Sequence, residues 1–363
     1  MHANFHPALR RIVRLGLERY STRPPAAEPV DQMIARVIAK ISCPPRPVET
    51  TPPRLCGIFT HYRPSDFYSR GRFREMDIAH LVRTGKLGRG GSANVYLACD
   101  PQAGNFPVVL KTYHTGLLRY AKLEGRAFER LVAYDCPNVV DVYGYSIDPS
   151  GRVVLVMEYL VGENLEQRIA RSGPLTILET VDRFIEFAMG LDQVHRAGLL
   201  HLDPKPANFF LTRRGGVVTD LSIARAINSQ GVVHTGTSVY GTTYYTSPEM
   251  WRSPQEITRA ADIYSWGHSL SEALTGKSLV ERLGIPDNLW EVSSWHAHSP
   301  ASLPALGTDP GLLTRSTGIV SSQELHLLDE IVQKATARSV RDRYQDFSQV
   351  IADLKQWRAS VTR

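Results

Sequence analysis

Three polar residues in one short loop have the types and the spacing that phosphoryl transfer requires. In residues 201–210, HLDPKPANFF, Asp203 is followed two residues later by Lys205 and five residues later by Asn208. Phosphoryl transfer needs a group that orients the attacking hydroxyl, a cation that offsets charge on the moving phosphoryl, and an amide that holds a metal. We assign these roles to Asp203, Lys205 and Asn208, against the alternative that Asp203 is an ordinary turn aspartate beside proline.

A glycine-rich turn precedes this loop in the chain. Residues 80–98 read HLVRTGKLGRGGSANVYLA, and their apolar ends predict two strands around a tight turn. The glycines of this turn are Gly88, Gly90 and Gly91. Because glycine has no Cβ, backbone amides in such a turn can approach phosphate oxygens closely. Glycine-rich turns are also common in ordinary hairpins, so the turn alone would indicate only a hairpin.

A lysine in the next predicted strand requires an anionic partner. Lys111 ends an apolar run within the strand predicted at 107–113, where an unpaired ammonium would be costly to bury. The helix predicted over 119–132 offers two carboxylates, Glu124 and Glu129. Either glutamate could pair with the lysine on the basis of position alone.

Further segments extend the series of motifs along the chain. VMEYLVGENL ends a strand predicted at 152–159, VVTDLSIAR places Asp220 after a short apolar strand, and GTTYYTSPE, ADIYSWG and SVRDRYQDF follow in that order. Taken together, the motifs resemble those of eukaryotic-type serine/threonine protein kinases over about residues 80–358. GTTYYTSPE and RDRYQDF are most similar to the bacterial members.

The resemblance implies an α+β fold of two lobes. Residues 80–160 would form a small lobe with an antiparallel β-sheet and one helix, and residues 161–358 a larger, mostly helical lobe. Residues 1–79 would be a basic, proline-rich extension with two short amphipathic helices. The long helices expected in the larger lobe lie at 175–196, 323–336 and 345–357.

The resemblance also implies ATP and Mg²⁺ in a cleft between the lobes. The catalytic residues carried over by the motifs are Asp203, Lys205, Lys111 and Glu124, and the metal ligands are Asn208 and Asp220. Glu124 is preferred to Glu129 because its segment, ExxAFERL, is closer to the family pattern. Asp220 stands at the metal-binding position of the family's D-F-G, against the alternative of a strand-end cap.

The same carry-over gives a nucleotide-binding set. Its members are Gly88, Gly90, Gly91, Val95, Val109, Lys111, Met157, Glu158, Leu160 and Phe210. Met157 would gate the pocket behind adenine, and Val109 and Phe210 would lie above and below the ring. Backbone groups of Glu158 to Leu160 would form hydrogen bonds with the edge of adenine. The identity of the side chains in this segment therefore says little about nucleotide binding.

The substrate implied by the resemblance is a protein with a Ser or Thr acceptor. Lys205 lies where serine/threonine kinases place their cation, and Thr242 of GTTYYTSPE would contact both Lys205 and Asp203. Two further contacts are expected to be structural. Glu249 would pair with Arg343, and the carboxylate of Asp262 would cap the backbone of the catalytic loop.

Three positions depart from the family pattern. Leu202 replaces the arginine that usually pairs with a phosphate on the activation loop, so we expect activity to depend only weakly on phosphorylation of that loop. Ser222 replaces the glycine of D-F-G and predicts a less mobile segment, and Ala93 replaces the third glycine of the turn. The candidate phosphorylation sites of the loop are Ser229, Thr235, Thr237, Ser238 and Tyr240.

These departures leave a rival hypothesis, a pseudokinase that binds nucleotide or a protein partner without phosphotransfer. The chain nevertheless keeps all four polar residues on which phosphotransfer in the family depends, and this favours an enzyme. They are Lys111, Asp203, Asn208 and Asp220. A kinase-like enzyme for small molecules is a third hypothesis, and the peptide-positioning segment GTTYYTSPE argues against it.

The basic excess of the chain lies in its N-terminal segment. The first 80 residues carry 13 Lys and Arg against 7 Asp and Glu, and the formal net charge of the whole chain is +6. Amphipathic helices are predicted near residues 9–20 and 30–41, and they would dock on the protein's own globular part, on a partner, or on an anionic surface. No nucleic acid is expected, because the basic residues lack interleaved aromatics.

Composition predicts an ordinary globular protein in a reducing compartment, the cytoplasm. The chain has 363 residues with 42% hydrophobic and 21% charged, and no apolar run approaches the roughly 20 residues that span a bilayer. Its four cysteines show neither a CxxC pair nor metal-ligand spacing. A secretory signal is not recognisable, and Glu18 argues against an organellar transit peptide.

Residues 278–321 have no chemical interpretation from the sequence. The segment is rich in Pro, Gly, Ser, His and Trp, and it predicts a loop that is packed by its own aromatic residues. A metal or ligand site is the alternative, and its candidate residues are Trp290, Trp295, His296 and His298.

Overall fold

A computed structural model describes residues 75–90, 92–131, 136–228, 232–233, 241–252 and 257–361. Several predictions fall outside these ranges: the two N-terminal helices, Gly91, and the candidate phosphorylation sites Ser229, Thr235, Thr237, Ser238 and Tyr240. Among the helices of the described ranges, none has both the length and the apolar character that a membrane span requires.

Five antiparallel strands form the smaller part of the structure. They are β1 (Val82–Arg89), β2 (Ala93–Asp100), β3 (Phe106–Tyr113), β4 (Val142–Ile147) and β5 (Val153–Glu158), in the spatial order β1-β2-β3-β5-β4. The predicted hairpin is confirmed as β1 and β2, which pair from Val82–Cys99 to Arg89–Asn94. Strand β5, VVLVME, lies between β3 and β4 and is buried along its whole length, as its apolar sequence predicts.

Both faces of the sheet are covered. Helix α1 (Leu118–Leu131) packs on one face through side chains such as Phe128, which share an apolar cluster with Leu155. On the other face, Met76 packs against a cluster that includes Val154 and Val156. Successive side chains of a strand point to opposite faces, so these residues face away from Leu155. The contacts of the sheet therefore begin ahead of residue 80, and the backbone N–H of Met76 donates to Tyr145.

The larger part is built from nine helices in the described ranges and two small β-structures. The helices are α2 (Leu165–Ser172), α3 (Ile177–Arg196), α4 (Pro248–Arg252), α5 (Arg259–Thr275), α6 (Leu279–Leu283), α7 (Leu289–His298), α8 (Pro310–Ser316), α9 (Ser322–Ala335) and α10 (Phe347–Val361). The strands are β6 (Gly162–Asn164), β8 (Phe209–Thr212) and β9 (Gly215–Val218) in one sheet, and β7 (Leu199–Leu200) with β10 (Arg225–Ala226) in the other. The architecture is the predicted α+β fold with an antiparallel sheet and a mostly helical lobe.

Helix α5 lies at the centre of the helical lobe. Nearly all of its residues are buried, including Trp266, and an all-round buried helix is expected at the middle of a large core. The three long helices predicted from periodicity are confirmed as α3, α9 and α10, with ends shifted by a few residues. Helix α3 begins where the Thr176 hydroxyl accepts a hydrogen bond from the backbone N–H of Glu179.

The loop predicted over 278–321 was wrong in part, because the segment contains helices α6, α7 and α8. Each begins at a polar N-cap residue, namely Ser278, Asn288 and Asp309. The helices have at most 10 residues, a length that is marginal in isolation. They form because apolar residues such as Val292 and Leu312 join the core around α5.

The predicted ion pair of Glu249 and Arg343 is confirmed. The guanidinium donates two hydrogen bonds of 2.7 Å to the two carboxylate oxygens, and it also donates to the carbonyls of Ala337 and Ala260. The Arg343 side chain is fully buried, so removal of either partner would leave buried polar groups without hydrogen bonds.

We expect Arg343→Met to lower the free energy of unfolding by about 3–5 kcal/mol, because Glu249 would keep a charge in a buried place without its partner. Arg358→Met is the matched control, since Arg358 pairs with Asp182 at the surface and such pairs contribute about 0–1 kcal/mol. Urea unfolding of both variants measures the two losses. Equal losses would contradict a stabilising role specific to the buried pair.

Candidate active site

The loop that carries Asp203 is anchored from below by helix α5. The Asp262 carboxylate accepts hydrogen bonds from the backbone N–H groups of His201 and Leu202 at 2.8 and 2.7 Å, and the His195 ring lies 2.7 Å away. Burial alone would raise the pKa of Asp262, but the contacts with His195 and the loop hold it below its ordinary value. The expected capping role of Asp262 is confirmed.

Leu202 occupies the arginine position of the family in a left-handed conformation, with φ 67°. Its side chain is buried in an apolar cluster with Leu200, Met250 and Ala261. A cation at this position would lose that packing and would have to be desolvated. The family's arginine position therefore carries a buried apolar side chain in this protein.

Asp203 is oriented by its neighbours on both sides. Its Oδ1 accepts from the backbone N–H of Thr242 at 2.8 Å, and its Oδ2 lies 2.6 Å from the Lys205 ammonium. Lys205 also donates to the Thr242 hydroxyl at 2.5 Å, so the predicted contacts of Thr242 with both residues are confirmed. Asn208 donates its amide nitrogen to the Asp203 carbonyl at 2.9 Å, which leaves its amide oxygen for other partners.

A backbone hydrogen bond joins the residue before Asp220 to Asn208. The N–H of Thr219 donates to the Asn208 carbonyl at 2.9 Å, which joins the strand before Asp220 to the catalytic loop. Asp220 itself adopts a left-handed φ of 62°, and its Oδ1 accepts from the N–H of Ser222. The backbone just before Asp220 is therefore bonded directly to Asn208 of the catalytic loop.

A buried lysine joins Asp220 to the small lobe. The Lys111 ammonium lies 2.8 Å from Asp220 and 2.9–3.0 Å from both oxygens of Glu124. Glu129 is not the partner that the structure gives to this lysine. Burial raises the pKa of Glu124 to about 7, whereas the lysine holds the pKa of Asp220 well below its usual range. Although burial alone would lower the pKa of Lys111, the two carboxylates raise it, so the lysine is charged.

Sequence reasoning missed Tyr113 in this cluster. Its hydroxyl donates a hydrogen bond to Glu124, and its ring centroid lies 5.5 Å from the Lys111 ammonium. A signal was available, because residues two apart in a strand share one face of the sheet. Tyr113 follows Lys111 by two residues in β3 and therefore points at the same helix.

Four residues of the predicted nucleotide-binding set lie together. Val109, Met157, Leu160 and Phe210 belong to one apolar cluster, whereas Val95 lies apart from it in β2. Met157 pairs with Val109 across β3 and β5, and Val95 pairs with Lys111 across β2 and β3.

The side chain of Glu158 has more specific contacts than predicted. Its carboxylate accepts from Arg214 at 2.8 Å and from the backbone N–H of Asp141 at 3.2 Å, while its own N–H donates to the Asp141 carbonyl. Burial raises the pKa of Glu158 despite the arginine. The side chain of Glu158 thus ties β5 to the turn between β8 and β9, while recognition of adenine by the backbone of this segment stays a prediction.

The glycine-rich turn keeps its backbone accessible. A Cβ added to Gly88 would meet no atom within 4 Å, and one added to Gly90 would meet only the Ala93 carbonyl at 3.7 Å. Packing within the described protein therefore does not require glycine at these two positions. Glycine there preserves close access to the backbone, as a phosphate group would need.

The residues present fit a magnesium nucleotide. Asp220 and Asn208 present a carboxylate and an amide, which are the hard oxygen ligands that Mg²⁺ takes together with phosphate oxygens. Lys111 and Lys205 supply positive charge near them, and the Lys205 charge contributes to the low pKa of Asp220. The arrangement can hold a phosphoryl group between two cationic side chains and a metal.

The segment 278–321 contacts the motif GTTYYTSPE of residues 241–249. Tyr244 donates its hydroxyl to Asp287, and its carbonyl accepts from the His296 ring at 3.0 Å. The other ring nitrogen of His296 accepts from the Tyr264 hydroxyl at 2.9 Å, and burial lowers the pKa of His296 to about 3. This histidine is therefore neutral and structural.

The alternative of a metal site at Trp290, Trp295, His296 and His298 gains no support. Across the described ranges, no group of three His, Cys, Asp or Glu side chains is arranged to hold a metal. The predicted self-packing of the aromatics was also incomplete. Trp295 and His296 pack against His268 of the central helix α5.

Comparison with known proteins gives one family. The family model of the protein kinase domain matches residues 81–304. The probable serine/threonine-protein kinase PknB of Lactococcus lactis is 30% identical over 275 residues, which cover 74% of this chain and 40% of that protein.

Two further relatives have similar values. The serine/threonine-protein kinase PrkC of Bacillus subtilis is 30% identical over 273 residues, which cover 74% of this chain and 39% of the relative. The serine/threonine-protein kinase PknB of Mycobacterium tuberculosis is 31% identical over 277 residues, with 74% and 41% covered. This chain thus spans about 40% of the length of these curated relatives.

The partly buried Glu272 gives a prediction of pH dependence. Burial, with the nearby carboxylates of Glu166 and Glu281, raises its pKa to about 7, and Tyr245 donates to it at 2.7 Å. An acid whose folded pKa lies above its unfolded value of 4.5 destabilises the fold as pH rises between these values, because the unfolded chain ionises first.

The Glu272→Gln variant should therefore gain stability relative to wild type by roughly 1–3 kcal/mol between pH 5 and pH 8. Urea unfolding at both pH values measures this difference. The exposed Glu330→Gln is the control and should show no such change. A constant offset between wild type and Glu272→Gln at the two pH values would contradict the raised pKa.

Proposed function

The chain belongs to the protein kinase family, and we propose that it transfers the γ-phosphoryl group of Mg-ATP to Ser or Thr hydroxyls of protein substrates. The observation that carries the proposal is the convergence of two groups of residues. Lys111 joins Glu124 to Asp220, and Asp203 is held between Lys205 and Asn208 on the adjoining loop. The relatives are named serine/threonine-protein kinases, which supports the same reaction class.

Each side chain has a defined part in the proposed reaction. Asn208 and Asp220 would hold Mg²⁺, which neutralises charge on the phosphates when bound. Lys111 would contact the phosphates and Lys205 the transferred group. Asp203 would orient the acceptor hydroxyl and accept its proton, while the hydroxyl oxygen bonds to the γ-phosphorus and the bond from that phosphorus to the ADP oxygen breaks.

Residues of the sheet lobe would hold the nucleotide. Gly88 and Gly90 would admit the phosphates to the backbone, and Val109, Met157 and Phe210 would enclose adenine. Backbone groups of Glu158 to Leu160 would bond the adenine edge, and Gly91 and Val95 would belong to the nucleotide-binding set. We include Val95 on the strength of its pairing with Gly88 in the hairpin.

A protein substrate is supported by the peptide-positioning segment. Thr242 links this segment to Asp203 and Lys205, so an acceptor residue bound there would approach the catalytic aspartate. Docking of a partner on the two helices predicted near residues 9–20 and 30–41 stays a prediction.

We further propose that activity depends weakly on activation-loop phosphorylation. Leu202 is buried in an apolar cluster, so the catalytic loop offers no arginine for a phosphate at that position. Asp203 takes its orientation from Thr242, Lys205 and the Asp262-anchored backbone. Since Lys111, Asp203, Asn208 and Asp220 are all present, we do not propose the pseudokinase alternative.

Substitution of the central residues tests the proposed reaction. Asp203→Asn and Lys111→Ala should each reduce phosphate incorporation into a generic protein substrate by about 10²-fold or more, because each removes a group that acts on the transferred phosphoryl. Labelled ATP with Mg²⁺ provides the assay. The exposed Asp342→Asn and Lys122→Ala are matched controls and should retain wild-type rates. Equal incorporation by wild type and Asp203→Asn would exclude the catalytic assignment.

Combined substitution of Thr235, Thr237 and Ser238 by Ala tests the weak dependence on loop phosphorylation. Activity should fall by less than about threefold, because the main local counter-charge for a phosphate is absent at Leu202. The rate of the triple variant should be compared with that of wild type before and after phosphatase treatment. Complete loss of activity in the variant would be incompatible with the role inferred for Leu202.

A further inference from the structure

Tyr113 is placed to act on the ion pair of the cleft. It ends β3, faces α1 together with Lys111, and is 1% exposed. Its ring packs in the cluster that joins the sheet to Phe128 of α1. A buried tyrosine hydroxyl generally requires a hydrogen-bond partner, and here it donates to Oε2 of Glu124.

Glu124 receives donors from two separate parts of the chain. Lys111 and Tyr113 approach it from β3, and the backbone N–H of Leu221 approaches it from the segment after Asp220. The carboxylate is fully buried, so each donor replaces a hydrogen bond to water. All three donors, Lys111, Tyr113 and the N–H of Leu221, therefore lie outside the loop residues that follow Leu221.

The lysine, in contrast, is shared. Its ammonium contacts Glu124 at 2.9–3.0 Å and Asp220 at 2.8 Å in the same arrangement. When Asp220 serves a metal, Glu124 becomes the carboxylate that keeps the lysine in place. The position of Glu124 then depends on its contacts other than the lysine.

We propose that Tyr113 is a positioning residue for phosphoryl transfer, whose hydroxyl holds Glu124 of α1 against β3 so that Lys111 stays directed at the phosphates. This inference rests on the proposed kinase function. In this proposal, Tyr113 of the sheet holds α1 close to β3. The contact does not involve a phosphate in the activation loop.

Tyr113→Phe removes only the hydroxyl oxygen and keeps the ring. It should lower kcat by about tenfold, as expected for one hydrogen bond to a charged group, with KM for the protein substrate unchanged. Tyr96→Phe is the matched control, because Tyr96 lies on the adjacent strand β2 and its ring contacts Arg83 outside the cleft. It should have wild-type kinetics.

A double-mutant cycle separates positioning from general loss of structure. In a Glu124→Ala background, which has no side-chain acceptor for the hydroxyl, Tyr113→Phe should change kcat by less than about twofold, because the hydroxyl acts through the carboxylate. Amide hydrogen exchange should also become about tenfold faster in α1 and stay unchanged in α3. Additive losses in the cycle, or faster exchange in both helices, would overturn the proposal.

The outcome also distinguishes this inference from the function on which it rests. If Tyr113→Phe has wild-type kinetics while Asp203→Asn is inactive, the positioning role is excluded and the kinase function stands. If wild type itself transfers no phosphate, both are excluded. Loss of kcat in Tyr113→Phe alone, with coupling to Glu124, is the result expected.

Discussion

The arrangement of the cleft depends on one buried positive charge. Lys111 lies in a strand whose neighbours are apolar, and its ammonium is removed from water. Such a charge is tolerated only when anions and hydrogen bonds replace the lost solvation. The two anions come from different parts of the fold, because Glu124 belongs to the helix on the sheet and Asp220 follows a strand of the helical lobe. Satisfying the lysine therefore brings both lobes to one point.

A second buried charge has the corresponding role below the cleft. Asp262 lies in the most enclosed helix of the structure, where an unpaired carboxylate would be costly. It is satisfied by backbone N–H groups of the catalytic loop and by His195, which fixes the loop ahead of Asp203. The left-handed conformation at Leu202 is unfavourable for a branched side chain, and these hydrogen bonds together with burial of the side chain stabilise it.

The sequence was most informative where local pattern and spacing decide the structure. Periodicity located α3, α9 and α10, the apolar run located β5, and motif order located the Glu249–Arg343 pair and the Asp262 cap. Helices α6 to α8 were missed because they are too short to form alone and depend on tertiary packing. The contacts of Tyr113 and Glu158 were missed for a related reason. Their partners are distant in the chain or lie on another element, and residue type alone does not reveal which buried polar groups must meet.

The segment 278–321 and Leu202 both stabilise parts of the cleft through buried groups. In this protein, buried groups fix the segments that surround the cleft. The buried, neutral ring of His296 holds Tyr244, and apolar packing holds Leu202. A neutral buried histidine contributes equally across physiological pH, and an apolar contact does not respond to phosphorylation. The contacts that hold Tyr244 and Leu202 are therefore made on folding, from groups within the described residues.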